Sequence, residues 1–96
     1  MANYILSVKA DEDLDSIADY SLEKWGEKQT LEYLDELLNC LEKIATTPEI
    51  GRDASELSPH LKRYNYKAHT IFYVITSSKI MIVRILGQQQ DFRRHL

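Results

Sequence analysis

Few side chains in this chain can move a proton or hold a metal, and those few are scattered. The histidines are His60, His69 and His95, and Cys40 is the single cysteine. Metal sites built on Cys and His need more ligands at tighter spacing, and a lone thiol has no partner for an internal disulfide. No metal, cofactor or disulfide is expected, so packing alone must hold the fold. The bases are more informative. Residues 49–96 carry eight Lys or Arg against four acids, whereas residues 1–48 carry four lysines against eleven acids, within a net charge of −3. A cationic half attracts an acidic partner, although bases that keep a sheet edge from pairing are the plainer reading. Arg84 stands out. It interrupts Ile80-Met81-Ile82-Val83-Arg84-Ile85-Leu86, and burying an unpaired guanidinium costs several kcal/mol.

The elements that must position these residues follow from length and periodicity. Ninety-six residues make one domain, 1–96, ending in a polar segment Gly87–Leu96. The apolar runs are far shorter than the roughly 18 to 20 residues of a membrane span. The start "MANYILSVKADED" lacks the basic-then-apolar order of a secretion signal, so a cytoplasmic protein is expected. Tyr4–Val8 reads as a strand. From Asp11 the apolar positions Leu14, Ile17, Ala18, Ser21, Leu22 and Trp25 recur at helical spacing, and Gly26 stops that helix. On this pattern Trp25 belongs to the core. A second helix runs from about Glu27 to Thr46, where Thr47-Pro48 ends it. Its apolar arc, from Tyr33 through Leu37, Leu38, Cys40 and Leu41 to Ala45, is wide enough for two neighbours, the first helix and a sheet. Cys40 lies within that arc and is expected to be buried.

Pro48–His60 reads as a loop, and about Leu61–Tyr66, His69–Thr76 and Lys79–Leu86 as consecutive antiparallel strands. Strict alternation sends Met81, Val83 and Ile85 towards the helices, with Phe72 and Val74 beside them. Ile71, Tyr73, Ile75, Ile80, Ile82, Arg84 and Leu86 then point to the other face. A chain this short has nothing else to cover that face, so an apolar patch around one cation is expected there, the mark of a partner site. The plainer alternative is a surface strand whose Arg84 pairs with an acid such as Asp91.

The order Ala10, Asp13-Leu14, Ile17, Tyr20, Trp25-Gly26, Gln29, Tyr33, Leu37, Ile44-Ala45, Pro48, Ile50-Gly51-Arg52, His69, Ile71-Phe72-Tyr73 and Ile82-Val83-Arg84-Ile85-Leu86 resembles the ParE toxins of the RelE/ParE toxin–antitoxin superfamily. The resemblance covers nearly the whole chain. It implies an α+β fold in which a strand, a helical hairpin and a three-stranded antiparallel meander follow in turn, with the hairpin on one sheet face. It also implies a ParD-like antitoxin, a ribbon-helix-helix protein whose disordered half folds over the hairpin and adds to the sheet. Arg63, Tyr73, Ile82, Arg84 and Leu86 are the candidate antitoxin contacts.

The superfamily divides by activity. RelE-type members cut messenger RNA on the ribosome, which needs a base, an acid and cations around the phosphate. Lys62, Arg63, Lys67 and Arg84 are candidate cations, but ribonuclease-type relatives carry a His or Tyr just after the last strand, where this chain has Gly87-Gln88-Gln89-Gln90. Neutral amides cannot move protons. ParE-type members instead trap DNA gyrase, without the ribonuclease residues, and that is the activity the resemblance implies; the alternatives are the RelE-type ribonuclease and a non-toxic module that only binds the antitoxin. The candidate gyrase contacts are Gln88, Asp91, Phe92, Arg93 and Arg94, with Phe92 as an apolar anchor and the arginines meeting acids or DNA phosphate. A frayed end is the alternative. A toxin–antitoxin hetero-oligomer is expected, with no membrane association and no sequence-specific nucleic-acid binding.

Overall fold

A computed structural model describes residues 4–96; the first three residues of the expected 1–96 domain lie outside it. The elements are β1 (Tyr4–Leu6), α1 (Val8–Trp25), α2 (Glu27–Thr46), a 3-10 turn (Pro48–Ile50), β2 (Arg52–Asp53), β3 (Lys62–Tyr66), β4 (His69–Ile75), β5 (Ile80–Gly87) and α3 (Phe92–His95). They form one sheet of order β1-β5-β4-β3-β2, in which β1 runs parallel to β5 and every other pair is antiparallel. This is the expected α+β arrangement, and the meander strands fall within a residue of their expected limits. Two elements were not expected, β2 inside the Pro48–His60 segment and α3 in the polar tail.

Helix α1 starts three residues before Asp11 because Ser7 caps it. The Ser7 hydroxyl accepts from the Ala10 amide at 2.9 Å and donates to the Val83 carbonyl at 2.7 Å, which ties the helix start to β5. At the hairpin, Gly26 has φ +86°, a region open to glycine, and its carbonyl accepts from both the amide and the hydroxyl of Thr30. One glycine thus ends α1 and begins α2.

The core under the hairpin joins Ala10, Ile17, Leu37, Cys40, Leu41 and Ile44 to Ile71, Tyr73, Ile80, Ile82 and Ile85 of the sheet. Each large side chain buried there contributes roughly 1.5 to 3 kcal/mol. Cys40 is buried as expected, and burial pushes its thiol pKa up. A second core lies on the opposite sheet face, where Phe72 and Leu86 meet Ala54 and Leu61, with Leu57, Val74, Val83, Phe92 and Leu96 packed around them.

These two cores overturn the expected sides of the sheet. Ile71, Tyr73, Ile80 and Ile82 face the helices, and Phe72, Val74 and Val83 do not. The register supplies the reason. Phe72 pairs with Arg84 but Tyr73 with Ile82, so Val83 is an extra residue in β5. A bulge of this kind breaks strict alternation, which lets Ile80, Ile82 and Ile85 share one face while Leu86 turns to the other. The second face is not bare, because the segment from Ala54 to Leu61 and the folded tail cover it.

Candidate functional site

Arg84 is engaged within the molecule. Its Nε donates to Asp13 Oδ2 at 2.8 Å and its Nη2 to Asp13 Oδ1 at 2.9 Å, a two-pronged pair whose side chains are each 13% exposed. Asp13 also accepts the Ile85 amide at 2.9 Å, and Arg84 Nη1 donates to the His95 carbonyl at 2.9 Å. Hydrogen bonding to Asp13 raises the guanidinium pKa further. The ion pair therefore ties α1, β5 and α3 together. Asp13, not Asp91, is the partner; Asp91 instead caps α3 by accepting the Arg93 amide.

The other expected antitoxin contacts divide. Tyr73 and Ile82 are 0% exposed and Leu86 is 1% exposed, so none of the three presents a surface. Tyr73 was expected to be open, but its hydroxyl donates to the Pro48 carbonyl, and its ring lies so close to Gly51 that no Cβ would fit there. Arg63 is different. Its side chain is 35% exposed and its only ion pair among the described residues is a long one, 3.9 Å to Glu56.

Arg63 borders a cleft of about 540 Å³. Arg52 faces it across the β2–β3 ladder, since the two arginines are directly opposed in the register. Asn65 and Thr70 continue the wall, Gln88 and Phe92 close it from the tail, and Ile50 and Tyr64 line its remaining side. Of the expected gyrase contacts, Gln88 and Phe92 are thus brought together in the cleft. Phe92 is half-buried, its ring centroid 5.0 Å from that of Phe72, while Asp91, Arg93 and Arg94 are exposed.

A ribonuclease would need an acid or base in this cleft, and the histidine nearest in sequence points elsewhere. His69 stands on the helix side, where its Nδ1 hydrogen-bonds the Tyr33 hydroxyl at 2.6 Å, and burial lowers its pKa. Burial also raises the Tyr33 pKa. His60 and His95 are exposed. Among the described residues, no three His, Cys, Asp or Glu side chains converge on a point where a metal would sit.

The helical hairpin carries the main exposed apolar residues. Trp25, expected in the core, is 48% exposed and meets Tyr20 edge-on at 6.0 Å. Leu31 is 59% exposed, and Leu22 and Leu38 are exposed as well. In α1 the expected residues Leu22 and Trp25 fall outside the packed face, whereas Leu14 packs on the core beside Ile17 and the buried Ser21. In α2 the expected arc holds except at Leu38: Leu37, Cys40, Leu41 and Ile44 are buried, and Tyr33, Leu34 and Ala45 pack half-buried against the same core.

Comparison with known proteins decides the family. The family of ParE toxins of the type II toxin–antitoxin system parDE matches residues 4–92. This chain belongs to the ParE toxin family. Toxin ParE1 of Mycobacterium tuberculosis is 35% identical over 99% of this chain and 98% of its own. Toxin ParE1 of Caulobacter vibrioides is 35% identical over 100% and 99%, and toxin ParE of Escherichia coli 29% identical over 100% and 94%. A solved structure described as the chromosomal ParDE TA system from P. aeruginosa shares the fold, with a TM-score of 0.78, 18% identity and cover of 91% of this chain and 96% of that one. Among the described residues of this ParE-family chain, no helix is long and apolar enough to cross a membrane.

Several residues of this ParE chain have structural roles that the sequence did not assign. Ser7 carries a serine N-cap signal ahead of the acidic first turn. Arg52 lay in a segment read as loop, and its opposition to Arg63 appears only once β2 is paired. No local signal joins Asp13 to Arg84, which lie 71 residues apart.

Proposed function

We propose that this ParE-family chain acts by binding, inhibiting DNA gyrase in the cytoplasm, and that a ParD-like antitoxin neutralises it. The observation that carries this reading is a basic cleft walled by arginines, amides and an aromatic ring, with His69 turned to the opposite sheet face and held by Tyr33. Such a cleft can hold a partner by charge and shape, and Tyr64, the lining side chain able to move a proton, has its hydroxyl engaged by the Lys43 ammonium at 3.4 Å. The exposed Tyr20, Leu22, Trp25, Leu31 and Leu38 of the hairpin suit an amphipathic antitoxin segment, and Arg63 suits its acids. Arg84, Tyr73, Ile82 and Leu86 support this binding surface from beneath.

In the tail, Arg93 and Arg94 are the side chains turned outward to meet gyrase, while Gln88, Asp91 and Phe92 hold the segment in place. The test adds purified protein to gyrase with relaxed and supercoiled plasmid, and separately to translating ribosomes. Blocked supercoiling or trapped cleaved plasmid, reversed by the antitoxin, is the expected outcome. Cut message with untouched supercoiling would replace this reading with the ribonuclease one.

A further inference from the structure

The outer surface of the helical hairpin carries charge of one sign. On α2, Glu27, Leu31, Asp35, Leu38 and Glu42 follow at steps of four, four, three and four, which stacks acid and leucine alternately along one row. On α1, Asp11, Asp15, Asp19 and Leu22 make a second row at steps of four, four and three. Every residue of both rows is exposed. The core is built from the other side of each helix, from residues such as Ile17 and Leu41.

No base relieves these acids. None of them has a lysine three or four positions away in its own helix, where a neutralising neighbour would stand, and Asp11, Asp15 and Asp19 repel one another at that spacing. The lysines of the hairpin turn elsewhere. Lys24 lies over the Tyr20 ring at 5.6 Å and Lys43 over the Tyr64 ring at 5.8 Å. Lys28 lines a cavity with Tyr33 and Lys67, and Lys9 lines a groove with Val83 and Leu96. The ion pairs among the described residues are Arg63–Glu56, Lys67–Glu36 and Arg84–Asp13, and none includes an acid of either row. A surface built only for solubility intersperses both signs. These rows instead set exposed leucines among uncompensated carboxylates.

We propose that the two rows seat a basic amphipathic helix of the antitoxin. Its apolar stripe covers Leu22, Leu31 and Leu38, and its flanking Lys or Arg side chains meet Asp15, Asp19, Asp35 and Glu42. The inference rests on the reading that an antitoxin covers the hairpin, and it adds the sign of the charge. A neutral helix would leave the carboxylates unpaired, and an acidic one would set like charges against them. Arg63, on the sheet, asks for the opposite sign. The partner segment therefore carries two blocks, basic over the hairpin and acidic towards Arg63, which fixes its direction along this chain and rejects segments charged the other way.

The test measures association and dissociation rates of the full chain with the antitoxin at low and high salt. Asp15→Asn with Asp19→Asn, and separately Asp35→Asn with Glu42→Gln, remove charge and keep side-chain bulk. Each pair should slow association about fivefold at low salt, with the difference shrinking at high salt. Leu31→Ser should instead speed dissociation about tenfold. Glu49→Gln, exposed in the 3-10 turn outside both rows, is the charge control and should leave both rates unchanged. A synthetic helix of leucines flanked by lysines should displace the antitoxin, and its glutamate-flanked counterpart should not. Equal displacement by the two peptides, or equal slowing by Glu49→Gln, would overturn the proposal. Unchanged or faster association of both neutralised pairs, with Leu31→Ser still weakening binding, would overturn it while leaving the antitoxin on the hairpin. Unchanged rates in every variant, Leu31→Ser included, would remove the antitoxin from the hairpin and the proposal with it.

Discussion

Replacement of Arg84 by methionine separates the two roles that an arginine in this strand can play. The substitution removes two hydrogen bonds to Asp13 and one to the His95 carbonyl, leaving the Asp13 carboxylate with the Ile85 amide as its remaining bonded partner. With both side chains only 13% exposed, loss of one partner should cost about 3 to 5 kcal/mol, whereas a solvated pair would cost about 0 to 1 kcal/mol. In a domain of this length each kcal/mol lowers Tm by about 4 to 8 °C, so Arg84→Met should melt at least about 12 °C below the parent.

The assay is thermal and urea unfolding followed by circular dichroism, with antitoxin affinity measured on the same variants. Asp13→Asn combined with Arg84→Met should recover about half the loss, because asparagine still accepts from Ile85 while the stranded charge is gone. A stability loss below about 1 kcal/mol, together with weakened antitoxin binding, would refute the internal role and return Arg84 to the partner surface.

Three further outcomes follow from other contacts. Burial lowers the His69 pKa below its ordinary 6.5, so the unfolded chain takes up a proton first as pH falls. Stability should be flat above about pH 7 and decline below it, by at most about 1.4 kcal/mol per pH unit, until the folded histidine titrates; His69→Gln should flatten urea midpoints between about pH 7 and 5, and an unchanged profile would refute this. In Gly51→Ala the new Cβ would meet the Tyr73 hydroxyl in buried space, costing about 1 to 3 kcal/mol in urea unfolding, and Tyr73→Phe in the same chain should restore part of it. On the hairpin, Trp25→Ala and Leu31→Ala should each weaken antitoxin binding about tenfold or more in calorimetric titration with little change in Tm; unchanged affinity would place the antitoxin elsewhere.

The order of the two helices and the three meander strands, and most of their limits, were legible because each has a local cause; the short β2 and α3 were not, and the α1 start was missed by three residues. Helical spacing ends at Gly26 and at Thr47-Pro48, and hairpin-length turns separate the three meander strands. The faces of the sheet were not legible. Ile80 to Leu86 is apolar at both parities, which is how a strand covered on both sides reads, and a single bulge at Val83 decides which residues look which way. The continuous apolar run was itself the sign that something covers the second face. The cover, Leu57, Leu61, Phe92 and Leu96, is spread over two segments without periodicity. Trp25 failed for a related reason, since apolar periodicity places a residue on a flank without saying whether a neighbour fills it.

The tail serves the fold, and on the proposed reading it meets gyrase as well. Gln88 is bound to Lys67, Gln90 accepts the Gly87 amide, Phe92 packs on Phe72, and Arg84 holds the His95 carbonyl. Deleting residues 88–96 would therefore remove a cleft wall and strip the second core along with any gyrase contact, so loss of inhibition by such a truncation would not locate that contact. Charge reversal at the outward Arg93 and Arg94 leaves those anchors intact. Because the same anchors set Gln88 and Phe92 in the cleft beside Arg52 and Arg63, the Arg84–Asp13 pair fixes the shape of that cleft without lining it, by holding the last strand and the tail together.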